Sequence, residues 1–125
     1  MGSCSSGSET GMGETGRERH SERSRFLAEH RAHDYTELAR RWRLVARRAG
    51  LKMEVLTRAD GFPIYLISGR RSTGDSIYIS AGIHGDEPAA PWGLLAWAER
   101  RAEELVDKNL VMFPCLNPWG LICNQ

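Results

Sequence analysis

The chain has 125 residues, a formal net charge of +1 from 17 Lys+Arg against 16 Asp+Glu, 41% hydrophobic residues and three cysteines. That length suits one domain and is too short for two. The balanced charge removes any argument for a partner from bulk electrostatics, and no apolar run is long enough to predict a membrane-spanning helix.

Residues 1–25 hold only Met1, Cys4 and Met12 from the apolar set. Such a segment cannot offset the entropy of ordering, so a disordered low-complexity leader is expected there, and a folded domain over 26–125. MGSCSS fits the N-myristoylation pattern with Cys4 beside it, although composition alone accounts for those residues. No apolar stretch of the kind that marks a secretory signal follows the N-terminus, and the expected location is cytoplasmic. Cys4, Cys115 and Cys123 show no CxxC spacing, which points to reduced thiols and not to a disulfide framework.

The first helix is predicted over Asp34–Ala49. Tyr35, Leu38, Ala39, Trp42, Val45, Ala46 and Ala49 recur at three- and four-residue steps, with Asp34 as N-cap and Gly50 as terminator. Leu44 falls off that stripe and should be exposed. Two strands follow, Lys52–Arg58 and Pro63–Ser68, joined by a tight turn at Ala59-Asp60-Gly61. Ser76–Gly82 is continuously apolar and reads as a buried strand. Pro88–Lys108 reads as a second helix with Leu94, Leu95, Ala98, Ala102 and Leu105 on one face. Leu110–Leu116 reads as another buried strand, and Asn117-Pro118-Trp119-Gly120 as a turn. The order predicts an α/β fold whose last three elements form a βαβ unit with parallel strands.

In open α/β sheets, ligands sit outside the carboxyl ends of the strands. Those ends carry His84-Gly85-Asp86-Glu87 and Asn117-Pro118-Trp119-Gly120. Imidazole nitrogen and carboxylate oxygen are both zinc donors, and an H-x-x-E step through a turn lets the side chains converge. Taken alone the pattern is weak, because a carboxylate at a helix N-terminus is favourable by about 0.3–1 kcal/mol with no metal present. The ordered context of strand, His-Gly-Asp-Glu-Pro, helix, strand and Asn-Pro-Trp-Gly favours a metal site.

With those residues in place, IYISAGIHGDEPAAPWGLLAWAE followed by LVMFPCLNPWG resembles the N-terminal part of the M14 (carboxypeptidase A-like) zinc metallocarboxypeptidase family, over roughly residues 34–125. The resemblance implies a mixed sheet with flanking helices, the N-terminal portion of a phosphorylase/hydrolase-like fold truncated at its C-terminus. It implies a Zn2+ cofactor with His84 and Glu87 as the first two ligands. Asn117-Pro118-Trp119-Gly120 would shape the cleft wall. The third zinc ligand, the general-base Glu and the Arg segment that binds the substrate carboxylate should all lie beyond Gln125. No catalytic residue is therefore assigned within the chain, the substrate-binding residues are unknown, and weak zinc binding by an inactive fragment is expected.

The desuccinylase and aspartoacylase branch, which cleaves small acyl-amino acids, also uses a Gly-x-His-Gly-x-Glu segment. Gly120 favours the carboxypeptidase side, so the implied substrate is a peptide first and an acyl-amino acid second. Nucleic-acid binding is a further alternative. Residues 17–58 hold twelve Lys+Arg against six acids, but Trp42 falls on the apolar face and the arginines read as a solvated one. A fragment of this kind should expose apolar surface near Trp92, Trp97 and Trp119 and self-associate. Cys115 reads as a small buried hydrophobe, and Cys123 as an exposed, reactive thiol.

Overall fold

The computed structural model of the chain describes residues 16–19, 31–69 and 74–125. The MGSCSS pattern and most of the 1–25 segment lie outside those residues; residues 16–19 are helical.

Helix α1 (Tyr35–Ala49) forms as its periodicity predicts, burying the seven residues from Tyr35 to Ala49 that make up the apolar stripe. Leu44 is 45% exposed. The Asp34 carboxylate accepts from the Glu37 amide at 3.0 Å, and Gly50 ends the helix at φ +65°.

Strands β1 (Lys52–Ala59) and β2 (Phe62–Ser68) form an antiparallel hairpin. Its turn is Asp60-Gly61, both at positive φ (50° and 82°), the geometry whose twist matches the flanking strands. Strand β3 (Ile77–Ser80) runs parallel to β4 (Leu110–Phe113), with helices α2 (Ala89–Arg100) and α3 (Ala102–Leu105) between them. Because β2 pairs antiparallel with β4, the sheet is mixed, in the order β1-β2-β4-β3. The fold class is the α/β mixed sheet with flanking helices that the sequence predicts. Its core joins Leu38 and Trp42 of α1 to Ile67 and Met112 of the sheet, and to Leu95 and Leu105 of α2 and α3.

Three elements differ from the sequence reading. The single helix over Pro88–Lys108 is two helices. Arg101 leaves the helical region at φ −117°, ψ 15°, and its amide is shared between the carbonyls of Trp97 and Ala98. Leu95, Ala98, Ala102 and Leu105 are still buried on the core side. Strand β3 is not buried throughout: it is the sheet's edge, so Ile77 and Tyr78 are 52% and 62% exposed. Asn117-Pro118-Trp119-Gly120 is no turn but the start of helix α4 (Pro118–Cys123), with Asn117 as its cap. Proline suits the first helical position because the amide it lacks would have no intrahelical partner there.

The exposed large apolar residues among those described are spread over Ile77, Tyr78 and Ile83, over Val55 and Leu56 of β1, and over Leu44 and Val106, and nothing on them singles out a second copy of the chain as a partner. Trp92 and Trp119 are half-buried, and Trp97 is marginally exposed.

Candidate functional site

The two conspicuous segments meet at the carboxyl ends of the parallel pair. Beyond β3 the chain stays beside the exit from β4: the Leu116 amide donates to Ala81 O at 2.9 Å, and the Asn117 amide to Gly82 O at 2.8 Å. Gly82 sits at φ +73°, in the left-handed region. A side chain there would also meet Cys115 Sγ at 2.8 Å and Pro91 Cγ at 3.1 Å. A residue larger than glycine would block this crossing.

The chain then makes the Ile83–Glu87 turn, in which the Glu87 amide donates to His84 O at 3.3 Å. His84 and Glu87 are exposed, so both donors face solvent. Gly85, between them, is buried. A Cβ at Gly85 would collide with the backbone of Gly120 and the carbonyl of Gln125. The turn therefore rests backbone-to-backbone on α4.

Asn117 bridges the segments through both ends of its amide. Its Oδ1 accepts from the Gly120 amide at 2.8 Å, capping α4, and its Nδ2 donates to Ile83 O at 3.3 Å. That geometry makes Asn117 a residue that positions the Ile83–Glu87 turn against α4. The Gly85–Gly120 contact was missed by sequence reasoning. A glycine in each motif was the signal, but spacing along a chain does not show that two glycines touch.

The structure brings His84 and Glu87 into one turn. Among the described residues no group of three His, Cys, Asp or Glu could hold a metal ion. His33 is half-buried and engaged through Nδ1 with Leu121 O; His20 and His30 lie outside the described residues. The donor chemistry fits zinc in kind, and the donor number falls short of the three protein ligands of a hydrolytic site.

Burial pushes the Cys115 thiol up to about 11, and the residue is a small buried hydrophobe as expected. Native chain should therefore leave Cys115 unlabelled by iodoacetamide at pH 8, and denaturant should expose it; rapid native labelling would contradict this burial. Because the folded value lies above the unfolded one of 9.0, the associated stability is complete below pH 9 and is lost as pH rises toward 11. The expectation of reduced thiols fails at Cys123, which is disulfide-bonded and so is not the reactive thiol predicted.

The basic face of α1 is largely engaged within the fold. Arg40 pairs with Glu37 at 2.8 Å, Arg48 with Glu103 at 2.7 Å, and Arg41 is bidentate to Glu99 at 2.7 and 2.5 Å. Arg43 donates to the Tyr65 hydroxyl at 2.8 Å and lies over its ring. Trp42 is fully buried, so it offers no stacking platform to a base. A groove of about 570 Å³ between Lys52, Ser68 and Asp107 opens at the other end of the parallel pair, away from His84. No helix among the described residues is long and apolar enough to cross a membrane.

Residues 73–125 match the succinylglutamate desuccinylase/aspartoacylase catalytic domain. That span contains both motifs, and the domain it matches is of the branch placed second in the sequence analysis. Three crystal structures from Shewanella species, each named a "putative metallopeptidase", share the fold. The S. amazonensis protein is 32% identical, and the match covers 75% of this chain and 36% of that one with a TM-score of 0.68. The S. denitrificans protein is 33% identical with the same coverage and TM-score. The S. baltica protein is 28% identical with a TM-score of 0.67, again over 75% of this chain and 36% of that one. The chain thus spans about a third of the length of the solved structures it matches. No curated protein matches it. These similarities support a metal-dependent hydrolase superfamily; they do not single out the carboxypeptidase family.

Proposed function

We propose that the chain carries the first part of a zinc-dependent amide-hydrolase site of the desuccinylase/aspartoacylase kind, with His84 and Glu87 as metal donors. One observation carries this reading. The span that matches that catalytic domain contains both strand-end motifs, and those motifs are clamped together through Gly85, Gly120 and Asn117. The substrate class is an acyl-amino acid, whose scissile bond is an amide.

When bound, zinc polarises a carbonyl and lowers the pKa of its water to about 7. The chain's own residues do more limited work. His84 offers an imidazole nitrogen and Glu87 a carboxylate oxygen from one solvent-facing turn. Asn117 ties down the carbonyl of Ile83, the residue before His84, and so fixes where that turn leaves the strand.

A second reading is the carboxypeptidase one, with a peptide substrate. The name of the Shewanella neighbours, metallopeptidase, favours its peptide substrate.

The test is a hydrolysis assay of the purified 125-residue chain with zinc. The substrates are N-succinylglutamate, N-acetylaspartate and a peptide with a free C-terminus. With two proposed donors where a hydrolytic zinc takes three, the chain should release no amino acid from any of them. Zinc-dependent turnover would show that the chain completes its own site. Its preference among the three substrates would then decide between the two readings.

A further inference from the structure

The segment just before α1 touches both motif-bearing helices. The Trp92 indole N–H donates to Ala32 O at 2.7 Å, and His33 Nδ1 is hydrogen-bonded to Leu121 O. Because a carbonyl only accepts, the ring donates through Nδ1–H. Trp92 lies in the first turn of α2, five residues after Glu87, and Leu121 lies in α4, four residues after Asn117. Adjacent residues of one short segment thus grip the helix that follows the His84–Glu87 turn and the helix that begins with Asn117-Pro118.

The segment is itself held. The Asp34 amide donates to Arg31 O and the Tyr35 amide to His33 O, each at 3.1 Å, and Asp34 caps α1. Arg31 takes a left-handed φ of 50° there. Trp92 is gripped from its other side as well, because the Arg41 guanidinium lies 5.5 Å from its ring centre while paired to Glu99. The sheet alone does not fix how α4 sits relative to the start of α2. The Gly85 and Gly120 backbones approach so closely that a Cβ at Gly85 would overlap Gly120, so that relation is sensitive to small shifts.

We propose that Ala32 and His33 form a brace that sets the position of α4 against the His84–Glu87 turn. His33 and Trp92 are then positioning residues for the two-motif site. That the braced site is a metal site rests on the proposed function; the brace itself does not.

The experiment is amide hydrogen exchange on the full chain, comparing wild type with His33→Ala, His33→Asn and Trp92→Phe. The amides to follow are Asn117, bonded to Gly82 O, and Gly120, bonded to the Asn117 side chain. Loss of a single hydrogen bond in the brace should speed exchange at both by roughly tenfold, while amides of the β1–β2 hairpin keep their wild-type rates. His33→Asn should restore protection, because its Nδ2–H donates from nearly the place of the imidazole Nδ1–H. Three results would overturn the brace: unchanged rates at Asn117 and Gly120, an equal rise in the hairpin, or an Asn variant no better than Ala. Zinc titration of the wild-type chain, run alongside, reports on the metal reading separately. If no zinc binds, that reading fails, and the exchange data still decide the brace.

Discussion

Gly85→Ala should lower the stability of the chain by about 1–3 kcal/mol, the usual cost of forcing extra atoms into a filled space. For a domain of this size that is a Tm drop of roughly 4–8 °C per kcal/mol. The effect follows from what surrounds the position. The added methyl would meet the backbone of Gly120 and the carbonyl of Gln125, and no flexible side-chain end is there to yield. Either α4 moves away or the turn lifts off it. Both movements pull the His84–Glu87 turn from Asn117, so amide exchange at Asn117 should accelerate along with the loss of Tm. Gly93→Ala is a suitable control, since a Cβ at Gly93 meets nothing within 4 Å. An alanine at Gly85 that leaves Tm unchanged would contradict the close approach of the two segments.

Asn117→Ala should cost about 0.5–2 kcal/mol, the range for loss of a helix N-cap. It also strands the Ile83 carbonyl, which the Asn117 amide now satisfies at 3.3 Å. Asn117→Asp separates the two contributions. A carboxylate still accepts from the Gly120 amide, so the cap survives, but it cannot donate to Ile83 O. Asp should therefore recover most of the stability lost in Ala. The Ile83–Glu87 turn should remain looser than in wild type, read as faster exchange at the Glu87 amide. Equal stability of the Ala and Asp variants would contradict the capping role. Wild-type exchange at Glu87 in Asp would contradict the bridging role.

Local features of this fold were legible in the sequence, and features set by distant partners were not. The stripe from Tyr35 to Ala49 and the Asp60-Gly61 turn depend on periodicity and on backbone freedom, which neighbouring residues determine. The exposure of Ile77 and Tyr78 depends on β3 being the last strand in the order β1-β2-β4-β3, and an apolar run carries no record of that. The helix break at Arg101 was hidden because the apolar spacing continues across it. Asn-Pro opens turns and helices alike, so only the hydrogen bonds of Asn117 distinguish α4 from a turn. At the site, spacing and residue chemistry single out His84 and Glu87 as the proposed donors, and their placement in one exposed turn follows from the same short segment. The glycine contact that seats their turn, and the brace from Ala32 and His33, are tertiary and had no local signature.

His84 and Glu87 are the proposed metal donors, and their turn holds both side chains in solvent. Calorimetric titration of zinc into the 125-residue chain, with His84→Ala and His33→Ala alongside, tests that assignment most directly. Both variants should stay folded, and His84→Ala should change stability by no more than about 0.5 kcal/mol because the residue is exposed. Weak binding of zinc is expected for the wild-type chain, with loss of that binding in His84→Ala and only partial weakening in His33→Ala, whose imidazole is engaged with Leu121 O and braces the turn without being a proposed donor. Zinc binding that survives His84→Ala, or that is lost equally in both variants, would contradict the assignment.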